Sequence, residues 1–158
     1  LPFGLYITNA VQEEVGLRGA QMITETIRPN VAIVTDVTHD THTPMINKIK
    51  EGDCAMEKGP VVTFGPSVQN NLLKLIIETA KKNKIDIQRA AASRSTGTDT
   101  DAFAFNTGGV ASALISLPLR YMHTTVETVA QKDVESVIHL IYNSLLKIKN
   151  NHDFRYLK

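Results

Sequence analysis

The run Val31-Ala32-Ile33-Val34-Thr35-Asp36-Val37 constrains this chain more than any other stretch. A near-continuous apolar segment marks a strand buried on both faces, and such strands belong to sheets covered by helices on either side. The flanking sequence agrees. Upstream, Ala20, Ile23 and Ile27 keep helical spacing until Pro29, which cannot continue a helix. Residues 5–11, 61–64, 87–92 and 110–117 read as further strands. After Gly65-Pro66-Ser67, the side chains of Val68, Leu72, Leu75, Ile76 and Thr79 fall on one helical face. A last helix is predicted from about Lys132, with Val134, Val137, Ile138, Ile141, Leu145 and Ile148 in register. Lys147 and Lys149 lie near its C-terminal end, where cations suit the helix dipole. Strands alternating with helices predict an α/β sheet with both faces covered.

Composition narrows the function classes. The chain has 158 residues, 42% hydrophobic and 21% charged, which is one ordinary globular domain or part of one. Seventeen basic against sixteen acidic side chains leave a charge of +1. A surface that tracks phosphates needs a clear basic excess, so nucleic acid is not an expected partner. Cys54 stands alone, which rules out an intramolecular disulfide and is compatible with the cytoplasmic location we expect. The most apolar stretch, residues 110–119, is interrupted by Ser112, Ser116 and Pro118 and is too short to span a bilayer. Leu1-Pro2-Phe3-Gly4 has no initiating Met and runs straight into an apolar segment, so we expect a chain that begins inside a larger protein. Residues 1–149 form the expected domain and residues 150–158 a polar C-terminal tail.

In open α/β sheets, ligand sites gather where loops leave the carboxyl ends of strands. Glu13 and Glu14 follow the first apolar run, Asp36 ends the second, and His123 follows the run at 110–117. Adjacent carboxylates repel unless a cation or proton separates them. A glycosidase needs two carboxyls flanking one bond, roughly 5–9 Å apart, whereas neighbours on extended chain diverge. Divergence suits a metal site better, one carboxylate ligating and the other facing the water that the metal activates. Each residue also has a plainer reading: a solvated loop for the glutamates, a turn cap for Asp36 and a loop imidazole for His123. His39 and His42 share a polar loop at a spacing that makes weak ligands, and His39 fits better as support for one. His139 and His152 read as structural or solvated. The segment Ser93 to Asp101 has a single glycine, too few for a phosphate cradle. Ser93 and Ser95 lack a nucleophile elbow and Cys54 has no evident base, which argues against covalent catalysis.

Taken in order, the motifs resemble one family. Val11-Gln12-Glu13-Glu14-Val15-Gly16-Leu17-Arg18-Gly19-Ala20 is followed by Asp36-Val37-Thr38-His39, by Gly97-Thr98-Asp99, and by Arg120-Tyr121-Met122-His123 with Val126-Glu127. This pattern is similar to the dinuclear metallo-aminopeptidases that assemble as tetrahedral (TET) particles, the glutamyl and deblocking aminopeptidases, some of them labelled cellulase-like. The resemblance implies a three-layer α/β/α sandwich with a mixed, largely parallel sheet, present here only in part. It implies Glu13 as general base, Glu14 and His123 as ligands of one metal, Asp36 as ligand of the other, and Gly97, Thr98 and Asp99 as lining of the substrate pocket. Two divalent metal ions, zinc or cobalt, peptide substrates and a homo-oligomer follow for the complete enzyme.

Departures from the family matter as much. Its members draw a further histidine ligand and a bridging aspartate from sequence before the Glu-Glu pair, yet the residues preceding Glu13 contain neither His nor Asp. The family's inserted smaller domain has no counterpart either. The resemblance therefore covers the C-terminal half of a catalytic domain. His42 stands where relatives often carry an acidic residue, and Thr100-Asp101 extends the Gly-Thr-Asp segment. We expect this chain alone to hold metal partially or not at all, to have little peptidase activity, and to leave part of its sheet uncovered. A non-catalytic fragment or scaffold with a peptidase-like fold is the alternative expectation.

Overall fold

A computed structural model describes residues 1–154 of the chain. The elements run α1 (Arg18–Ile27), β1 (Val31–His39), α2 (Lys48–Glu51), β2 (Val61–Phe64), α3 (Asn70–Lys82), β3 (Gln88–Ala91), α4 (Asp99–Ala104), β4 (Ala111–Arg120), β5 (Thr128–Val129) and α5 (Gln131–Leu145). The strands form a mixed sheet in the order β1-β4-β2-β3, with β5 pairing β4. β1 and β4 run parallel from Val31↔Ala111 to His39↔Leu119, and β2 and β3 are parallel across α3. The antiparallel contacts are short, Val61↔Ser116 and Val62↔Ile115 between β2 and β4, and Leu119↔Val129 and Arg120↔Thr128 between β4 and β5. Most paired positions are therefore parallel, within a mixed sheet.

Period-2 alternation explains the layers. Val31 and Ile33 of β1, with Ala111, Ala113, Ile115 and Leu117 of β4, join a core that includes Leu72, Leu73 and Ile76 of α3 and Val137 and Leu140 of α5. Ala32 and Val34 face the other way, toward Ala20 of α1 and Ala102 and Phe103 of α4. Asp36 has the same parity as Ala32 and Val34, so β1 directs it to the α1/α4 side. Helices lie on both faces, but β1 is an edge strand and is only half-buried along its length, with Thr35 exposed. The expected full burial of this run is therefore not met; the fully buried strand positions belong to β2 and β4.

Three further sequence expectations about the strands are corrected. Residues 5–11 form no strand; Leu5, Tyr6, Ile7 and Val11 are exposed. A strand exists only through hydrogen bonds to a neighbour, and no strand of the described residues runs beside this segment or along the outer edge of β1. β1 continues past Asp36 to His39, because the ladder to β4 extends as far as Leu119. β4 likewise runs through Pro118 to Arg120. Pro118 lacks an N–H, and it lies beyond the short stretch where β2 pairs with β4. Within the polar tail, Phe154 is buried in the α3/α5 core, and its carbonyl accepts hydrogen bonds from Gln69 Nε2 and Asn71 Nδ2. Residues 155–158 of the expected tail lie outside the described residues.

Candidate active site

Glu13 and Glu14 sit in a tight turn rather than on extended chain. Gly16 and Leu17 N–H donate to Glu13 O at 3.1 and 3.0 Å, Arg18 N–H to Gln12 O at 3.3 Å, and Gly19 N–H to Val11 O at 2.9 Å. Gln12 takes the left-handed conformation at φ 59 and Leu17 at φ 56. Gly19 makes the turn possible. A Cβ there would stand 2.5 Å from both the nitrogen and the oxygen of Val11, so only glycine lets α1 press against the incoming chain. The turn presents Glu13 half-buried and Glu14 exposed.

The other residues come from elsewhere in the chain. Asp36, half-buried on β1, accepts a hydrogen bond from Val37 N–H at 2.7 Å. His123 follows β4, at φ 60, and its N–H donates to Glu127 Oε1 at 2.6 Å. Its Nε2 lies 3.2 Å from Glu14 Oε1. Asp99 begins α4 behind the Thr98 cap, and its Oδ1 is buried with no hydrogen-bond partner among the described residues.

These groups feel one another's charge. Burial raises the Glu13 pKa above the usual carboxylate value, and the charges of Asp36, Glu14 and Asp99 raise it further, against a smaller opposing effect of His123. Burial also raises Asp36, with Glu14 adding to it and the Val37 hydrogen bond working against it. Asp99 is raised by burial and then by the charge of Asp36. Burial and mutual repulsion thus both disfavour the ionised forms of these carboxylates, and Asp99 Oδ1 has no hydrogen-bond partner among the described residues. The donor set, carboxylates and an imidazole, suits zinc and other divalent ions. It is incomplete: among the described residues no group of three His, Cys, Asp or Glu side chains lies close enough to hold a metal ion.

The remaining sequence candidates divide plainly. Thr98 is buried, and its hydroxyl is engaged with Thr100 N–H, Thr100 Oγ1 and Thr96 Oγ1 at 3.3, 3.0 and 2.9 Å. Gly97, at φ 68, donates its N–H to Asp101 Oδ2 at 3.1 Å. Both shape the loop that presents Asp99. His42 is drawn away to Asp53, at 3.0 Å. His152 packs edge-on to Phe154. Cys54 is buried, and burial followed by the charges of Asp40 and Asp133 pushes its thiol up to about 12, so it is no nucleophile. Sequence reasoning missed Asp40, which is fully buried and accepts from Arg120 Nε at 2.7 Å. It also assigned no role to Glu127 or Asp101. The last gathers the N–H groups of Thr96 and Gly97 and the hydroxyl of Ser67. A short-range polar pattern in the sequence signals none of these, because their partners are distant or are backbone atoms.

The model of the M42 glutamyl aminopeptidases matches residues 1–140. The chain belongs to this family. It is 39% identical over 145 residues to a lysyl aminopeptidase of Pyrococcus furiosus, an alignment covering 92% of this chain and 41% of that protein. Among solved structures, a TET aminopeptidase from a marine sediment archaeon of the Thaumarchaeota superposes with a TM-score of 0.81 at 32% identity, covering 89% of this chain and 40% of that one. The TET1 peptidase of Pyrococcus horikoshii, described as assembling into a tetrahedron or a large octahedral shell, gives 0.65 at 30% identity over 86% and 38% of the two chains. This M42 chain therefore spans about two-fifths of its relatives' length, and it shares their α/β sheet. Among the described residues, no helix is long and apolar enough to cross a membrane.

Proposed function

We propose that this chain is part of a metal-dependent aminopeptidase that removes N-terminal residues from peptides, and that the chain alone is catalytically incomplete. The observation that carries the reading is the contact of Glu14 with His123 at 3.2 Å, beside the mutually coupled carboxylates of Glu13, Asp36 and Asp99. Glu14 and His123 would hold one divalent cation and Asp36 a second, zinc or cobalt; when bound, such a pair supplies Lewis acidity and lowers the pKa of water. Glu13 is the base. Its raised pKa suits a carboxylate that takes a proton from water and returns it to the leaving amine. Asp99, which feels the charge of Asp36 and has a buried oxygen without a hydrogen-bond partner among the described residues, adds negative charge where a substrate's α-ammonium would sit. The left-handed conformation of Gln12 and the close seat of Gly19 fix the turn that carries Glu13 and Glu14.

The missing ligands would come from sequence that relatives possess beyond the length matched here. Homo-oligomeric assembly of the complete protein fits the shells formed by its structural neighbour. Zinc stoichiometry and hydrolysis of aminoacyl-nitroanilides, measured on this chain and on the complete polypeptide, test the reading. The complete polypeptide should bind two metals and turn over substrate; this chain should do neither well. Robust turnover by the 158-residue chain, or a complete polypeptide inert with metal present, overturns it. The second outcome would favour the scaffold alternative, which the lack of a three-residue ligand group among the described residues supports.

A further inference from the structure

We propose that the Asp40–Arg120 ion pair is the clamp that sets His123 against Glu14, making both members positioning residues for the candidate site. Asp40 is the first residue beyond β1 and Arg120 the last of β4. Their side chains meet at 2.7 Å, Nε to Oδ2, with the carboxylate wholly shielded from solvent at 0% exposure. The backbones meet as well, since Asp40 N–H donates to Leu119 O at 2.8 Å. Asp40 also accepts from His42 N–H at 2.8 Å and from Met56 N–H at 3.4 Å. A buried carboxylate of this kind needs its cation, because removing the partner leaves an uncompensated charge inside the fold. The pair therefore locks the carboxyl ends of β1 and β4 together.

His123 hangs from that locked end. Only Tyr121 and Met122 separate it from Arg120, and both Tyr121 and His123 take positive φ at 60. Such conformations persist only where surrounding structure enforces them. Here the enforcement comes from Arg120 at the start of the loop and from Glu127 Oε1, which accepts the His123 N–H, at its far side. Released from Asp40, the stem of the loop would relax and the imidazole would leave Glu14. The catalytic consequence rests on the metallopeptidase reading, but the geometric claim does not.

The test uses the metal-free chain labelled with ¹⁵N-histidine, read by ring ¹⁵N resonances at one fixed pH. Loss of one resonance in H123Q assigns His123, and the displacement produced by E14Q defines its contact with Glu14. In R120M and D40N, most of that Glu14-dependent displacement should disappear while the His139 and His152 resonances stay in place. Where either variant fails to fold, R120K serves: it keeps the charge but not the planar fork, and a partial loss is expected. A full displacement retained in the folded variants overturns the clamp, as does the absence of any E14Q effect in the parent chain. Zinc binding plays no part in this readout, so the clamp and the metallopeptidase reading fail separately.

Discussion

Glu14 Oε1 and His123 Nε2 stand 3.2 Å apart although 109 positions separate them in sequence. A turn ahead of α1 supplies one partner and a loop after β4 the other. This convergence gives the two adjacent glutamates different surroundings, and their substitutions should differ accordingly.

In the complete enzyme, Glu13→Gln should keep the metal content and lower kcat by roughly 10²–10⁴-fold, the usual contribution of a positioned base. Glu14→Gln should instead lower metal content together with activity. Metal analysis of the purified variants beside their nitroanilide kinetics distinguishes the two; equal metal loss in both would contradict the assignment.

Gly19→Ala should cost about 1–3 kcal/mol, the usual range for forced overpacking, because its methyl would meet the Val11 backbone at 2.5 Å. Urea denaturation of the 158-residue chain measures it. The same substitution should disturb the turn that carries Glu13 and Glu14, visible as amide shift changes confined to residues 11–20.

Asp133, fully buried in the first turn of α5, accepts N–H groups from Glu57 at 2.7 Å and Gly59 at 2.9 Å. Asp133→Ala strands both donors, which should cost about 1–3 kcal/mol for a buried unmet group. Hydrogen exchange should then show the loop at residues 55–59 opening before the sheet does. A variant as stable as the parent would contradict this.

Stability should depend on pH in two opposite senses. Glu13, Asp36 and Asp99 have raised folded pKa values, through burial first and then each other's charge. Each binds protons more readily folded than unfolded, so each costs stability as pH climbs from the ordinary carboxylate range through its folded value. Asp36→Asn should therefore raise the Tm of the metal-free chain at neutral pH. Asp40 behaves in reverse. Burial pushes it up, but the hydrogen bond from Arg120, with those from His42 and Met56, holds its pKa below the usual value. Its contribution is complete above the ordinary carboxylate pKa and is lost as pH falls through the folded one. Thermal melts of the parent, Asp36→Asn and Asp40→Asn from acid to neutral pH measure both slopes.

Much of this protein was legible in its residues. The apolar run at Val31 marked a strand between two layers, and the helical spacing of Leu72, Ile76 and Val137 supplies one of them, although the strand lies at the sheet edge and is only half-buried. Placement after an apolar strand located His123 in the loop beyond β4, whereas Asp36, expected at a strand end, lies within β1, three residues short of its end at His39. These readings rest on periodicity and on short-range sterics, which a sequence carries directly. Residues 5–11 have the composition of a strand, yet composition cannot furnish the neighbour whose hydrogen bonds would make them one. The Asp40–Arg120 pair, the Glu14–His123 contact and the unpartnered oxygen of Asp99 arise from segments far apart along the chain. Their energies depend on distance and burial, and only the folded backbone fixes both.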